Sequence, residues 1–73
     1  MLTATKSQVL QALERGARDY WAIAAGLDIA PFTVRAELRG LERDGLVRYA
    51  GDRWELTNSG YRAIWDERQL TIG

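Results

Sequence analysis

Between residues 23 and 47 the chain reads IAAGLDIAPFTVRAELRGLERDGLV, and this stretch leaves few ways to fold. Val34, Leu38 and Leu41 recur at i, i+4 and i+7, the spacing of one buried helical stripe. Pro31 suits the first turn of that helix, where a missing N–H costs no hydrogen bond. A helix over about 31–44 is predicted. Ahead of it, Tyr20, Trp21 and Ile23 follow Asp19, a favourable N-cap, and predict a shorter helix over about 20–27. The two would meet at a tight turn around Asp28, since Asp tolerates positive φ better than most residues. Ala30 stands where a capping Ser or Thr is common, so the second helix is expected to start without a side-chain cap.

The flanking segments complete one small unit. Thr5, Lys6, Ser7 and Gln8 supply a capping hydroxyl and a glutamine three positions on, predicting a helix over about 6–15. Val9, Leu10 and Leu13 give it an apolar stripe, and Gly16 is its expected terminator. Residues 46–50 and 53–57 are strand-like, with Gly51 and Asp52 as a two-residue turn, so a hairpin over about 46–57 is expected. Trp54 and Leu56 would face inward, Arg53 and Glu55 outward. The run LTNSG then opens a last helix over about 58–69, where Tyr61, Ile64 and Trp65 make an i, i+3, i+4 stripe expected to pack mostly on the first helix. No linker or repeat interrupts residues 1–73, which read as a single domain, mainly α with a small β-hairpin. Such a short chain buries only about 60% of its unfolded surface. Trp21, Trp54 and Trp65 are therefore expected to help fill the core.

The helix pair with its tight turn, the hairpin GLVRYAGDRWEL and the LT-x-x-G entry together resemble the winged helix-turn-helix DNA-binding domains of small bacterial, archaeal and phage transcription regulators. The resemblance covers roughly residues 5–69. It implies a three-helix core, a two-stranded wing and a C-terminal helix. It also implies sequence-specific binding to double-stranded DNA, with the helix over 31–44 in the major groove and the wing on the backbone.

Net charge at first sight speaks against this, because ten basic and ten acidic residues cancel, whereas nucleic-acid binders are commonly basic. Position matters more than the sum. At about 100° per residue, Val34, Leu38 and Leu41 cluster within about 60°. Phe32, Ala36, Arg39 and Arg43 fall opposite them, with Arg35 at the edge of that face. Glu37 and Asp44 lie on one flank and Glu42 on the other. Arginine suits bidentate contact with guanine edges and phosphates. Arg35 and Arg39 are thus expected to reach bases, while Arg43, Arg48 and Arg53 neutralise phosphates. Thr33 would bond a phosphate or a base. Phe32 would pack on a thymine methyl, on a protein surface or back onto the preceding helix. Ala36 and Gly40 would let the helix backbone approach a partner closely.

The neutral charge, Phe32 and the short wing leave an alternative: a winged helix that docks on another protein, as an adaptor or inhibitor, without binding DNA. In the DNA reading a homodimer is expected, since one module buries only about 600–1,000 Å² on DNA. Its interface would include Ile64, Trp65, Leu70 and Ile72, setting two recognition helices about 34 Å apart. The chain has no cysteine and no histidine, which removes thiolate chemistry, the usual metal ligand and the usual general base. Asp66 and Glu67 are adjacent and do not share a helix face, and no phosphate-binding loop or nucleophile motif occurs. No enzyme activity, metal or cofactor is expected. The opening MLTATKSQVLQAL lacks a long apolar run behind a basic start, so a cytoplasmic, nucleoid-associated regulator, a repressor, is the expectation.

Overall fold

A computed structural model describes residues 2–72, apart from the side chains of Thr71 and Ile72. In chain order it holds α1 (Ala4–Glu14), α2 (Tyr20–Leu27), α3 (Pro31–Arg43), β1 (Val47–Ala50), β2 (Arg53–Leu56) and α4 (Asn58–Ile72). The architecture is mainly helical with a two-stranded antiparallel hairpin. No helix among the described residues is long and apolar enough to cross a membrane.

The first helix starts earlier than the Thr5 capping box implies. Thr3 is the cap, its Oγ1 accepting the Lys6 N–H at 3.2 Å, and Thr5 lies inside the helix. The earlier start gains a backbone bond from Ser7 N–H to Thr3 O at 3.0 Å and lets Leu2 pack on the core. Asp19 caps α2, its Oδ1 accepting the Ala22 N–H at 2.8 Å. Asp28 then turns the chain at φ 56° and ψ 45°, the one positive-φ non-glycine among the described residues. Ala30 offers α3 no side-chain cap. At the far end of α3, Gly45 sits at φ 78° and donates to Glu42 O, while Leu46 N–H reaches Leu41 O, both at 3.0 Å. That pair of bonds is a Schellman motif, and it turns the chain directly into β1.

The hairpin pairs Val47 with Leu56, Arg48 with Glu55, Tyr49 with Trp54 and Ala50 with Arg53. Gly51 supplies the positive φ, 68°, that its two-residue turn requires. The other edge of β2 is tied to the link between α1 and α2, where Trp54 N–H donates to Arg18 O at 2.8 Å. Thr57 joins hairpin to helix. Its N–H donates to Leu46 O at 3.1 Å, its Oγ1 accepts the Gly60 N–H at 3.1 Å, and its hydroxyl donates to Gly45 O at 2.6 Å. Gly60 faces the Leu46 carbonyl so closely that no Cβ fits between them.

The core is aliphatic. Val9, Leu10 and Leu13 of α1 meet Ile23 and Ala24 of α2, the Val34–Leu38–Leu41 stripe of α3, and Val47, Leu56 and Ile64. Of the three tryptophans only Trp54 is partly buried; Trp21 is 62% and Trp65 61% exposed. The expected packing stripe on α4 is also corrected, because Tyr61 and Trp65 are exposed and only Ile64 turns inward. The contact of Gly60 with Leu46 sets the rotation of α4. The face it turns inward carries Gly60, Ala63, Ile64 and Glu67, and Ser7 Oγ donates to Glu67 Oε2 at 2.9 Å.

Gly40 is likewise not reserved for an outside partner. A Cβ there would meet Lys6 Nζ and Cε of α1 at 3.4 and 3.5 Å. These atoms end a flexible side chain that can shift. Gly40→Ala is therefore expected to stabilise the chain by about 0.5–1 kcal/mol through helix propensity, without weakening any DNA binding. Thermal unfolding should show a midpoint raised by about 2–8 °C. A lowered midpoint would mean that the Lys6 side chain cannot give way.

Candidate nucleic-acid interface

Burial of Val34, Leu38 and Leu41, each 0% exposed, fixes the rotation of α3 and turns its opposite face outward. Arg35, Arg39 and Arg43 are all exposed there, and none makes an ion pair or side-chain hydrogen bond among the described residues. Thr33 and Ala36 are exposed as well. Phe32 is 83% exposed, which rules out its folding back onto α2. Phe32, Arg35, Ala36 and Arg39 border a shallow depression of about 240 Å³. One helix face therefore presents an apolar patch between guanidinium groups.

A second cleft, of about 300 Å³, lies where α2, α3 and the hairpin meet, lined by Asp19, Tyr20, Arg35, Tyr49, Asp52 and Trp54. The Tyr49 and Trp54 rings lie 5.1 Å apart at 60°. Sequence reasoning missed Tyr49, although its place opposite Trp54 across a two-residue turn is a readable cross-strand signal. Two carboxylates stand beside the one guanidinium here, so the cleft on its own does not favour an anion. Arg35 is the residue that carries positive charge from the cleft to the outer face of α3.

The wing arginines differ from one another. Arg48 Nε lies 2.7 Å from Glu55 Oε1 across the strands, so its charge is already engaged. Arg48 is exposed and Glu55 half-buried at the surface, and surface pairs of this kind are worth about 0–1 kcal/mol. Arg53, beside the turn, is exposed and has no ion pair among the described residues. Strand alternation puts both on the hairpin face opposite Tyr49 and Trp54. The structure thus groups Phe32, Thr33, Arg35, Ala36, Arg39 and Arg43 on one face, leaves Arg53 near the tip, and gives Arg48 to Glu55.

Of the expected interface residues on α4, Ile64 is corrected: it is 4% exposed and belongs to the chain's own core. Trp65 and Leu70 are exposed, but five residues apart they project about 140° from one another. The side chain of Ile72 lies outside the described residues. Arg68 holds Glu14 in a two-pronged contact at 2.6 and 3.2 Å, which ties α4 to α1.

No family model matches the chain, and no curated protein does. Solved structures do. MepR of Staphylococcus aureus, described as a transcription regulator of the multidrug efflux pump MepA, is 28% identical with a TM-score of 0.73, over 97% of this chain and 62% of that one. A mutant of the same regulator gives a TM-score of 0.77 at 26% identity, over 97% of this chain and 63% of that one. A mutant of ZitR of Lactococcus lactis gives 0.72 at 26% identity, over 99% of this chain and 57% of that one. The chain spans about three-fifths of the length of these proteins. Its buried α3 stripe, its turn at Asp28 and its hairpin closed by Thr57 and Gly60 build four helices and a two-stranded hairpin, and the chain has the winged helix-turn-helix fold of these transcription regulators.

Proposed function

We propose that the chain binds double-stranded DNA sequence-specifically, with α3 in the major groove and the wing on the backbone, as a transcriptional regulator of the repressor kind acting in the cytoplasm. The observation that carries this reading is the set of three exposed guanidiniums on α3, Arg35, Arg39 and Arg43, with no acidic partner among the described residues. Arg35 and Arg39 take base edges, with Thr33 on a base or phosphate at the helix start. Arg43 and Arg53 neutralise phosphates, and Arg48 is left out because Glu55 holds it. The transcription regulators of the same fold support the regulatory part of the reading.

The working form in this proposal is a homodimer, using the exposed Trp65 and Leu70 of α4. A second reading, docking on another protein, is favoured by the exposure of Tyr61 and Trp65 on one side of α4 in a chain of zero formal charge. It predicts DNA binding that is weak at any salt.

Salt titration of duplex affinity for the parent and for Arg53→Ala tests the DNA reading. The slope of log K against log salt should flatten by about one unit for each bound subunit, about 1.8 for the dimer, with all sequences weakened about equally. An unchanged slope with altered base preference would contradict the phosphate role.

A further inference from the structure

We propose that the depression bordered by Phe32 and Ala36 on α3 receives the C5-methyl group of thymine, and that preferred sites place this thymine within a base step of guanine read by Arg35 or Arg39. The proposal rests on the DNA-binding reading above and adds to it a base-level preference. Phe32 presents a large apolar ring to water, and Ala36, one turn on, leaves room above the helix backbone. Among the base edges in the major groove, only thymine offers an apolar group, while guanine O6 and N7 accept a two-pronged arginine. The depression therefore combines the two chemistries that recognise T and G, apolar floor and guanidinium rim.

Spacing carries the argument further. Arg35 and Arg39 are four residues apart, a rise of about 6 Å along the helix. Base pairs stack every 3.4 Å or so, so the two arginines span about two steps. Ala36 lies within that span and Phe32 about 4.5 Å ahead of its start, so the floor falls over the step beside Arg35. The rim guanidiniums have no carboxylate partner among the described residues, which favours the electronegative groove of a duplex over an apolar protein ligand.

The test starts from the tightest duplex selected out of a randomised pool, in which each thymine is replaced in turn by deoxyuridine, which lacks only the methyl. Affinity is measured for the parent, Phe32→Ala and Phe32→Leu. At one thymine or more the parent should bind about fourfold more weakly after replacement, the worth of one buried methyl. Phe32→Ala should bind the two duplexes equally, and Phe32→Leu should keep part of the difference. The exposure of Phe32 makes both variants neutral for folding, and circular dichroism checks that. Uracil tolerated at every position, or a penalty that persists undiminished in Phe32→Ala, would overturn the proposal while leaving DNA binding intact. A parent that selects no sequence would overturn both.

Discussion

Gly60→Ala is expected to lower the stability of this chain by about 2–4 kcal/mol, leaving it partly or wholly unfolded at room temperature. A single small core supplies only about 3–5 kcal/mol, so the loss is of the same size as the total. The added methyl would overlap the Leu46 carbonyl oxygen and stand 3.1 Å from both the Leu46 carbonyl carbon and Leu56 Cδ2. The obstacle is backbone, which cannot swing aside as a side chain tip does. Relief requires α4 to lift off the base of the hairpin, and that breaks the bonds Thr57 makes to Leu46, Gly45 and Gly60. Urea unfolding followed by circular dichroism measures the effect. A variant as stable as the parent would mean that α4 does not pack on Leu46 as described.

The second large effect falls on binding. Arg39→Ala should weaken the best duplex site by about 1–3 kcal/mol and relax preference at particular base pairs. The residue is exposed and forms no bond to its neighbours among the described residues, so the unfolding curve should not move. Loss of affinity with unchanged stability places the effect on recognition rather than folding. Equal affinity for the best site would remove α3 as the reader.

Legibility in the sequence followed contrast. On α3 three aliphatic residues stand against arginine and glutamate, so the buried stripe, the outward face and its arginines were all readable. On α2 the run YWAIAAGL is apolar nearly all round, and no periodicity tells that Ile23 and Ala24 go in while Trp21 stacks on Tyr20 at the surface. On α4 the apolar spacing pointed at Tyr61 and Trp65, yet rotation is set by one steric contact of Gly60 with a distant carbonyl. Backbone approach of that kind leaves no hydrophobic pattern. The same holds for Lys6 lying across Gly40 and for Glu55 taking Arg48: both are tertiary choices among several charged groups of equal local merit. Capping was readable where one residue alone could cap, as at Asp19. It was misplaced where Thr3 and Thr5 competed, because only the packing of Leu2 and one more backbone bond decide between them.

Binding of the parent chain to bulk genomic duplex, measured at two salt concentrations fourfold apart, tests the central claim most directly. With Arg43 and Arg53 of each of two subunits on phosphates, log K should fall with log salt at a slope of about −3.6, a loss of roughly 150-fold between the two conditions. Binding that is undetectable at the lower salt, or equally strong at both, would contradict a DNA-binding role for this domain.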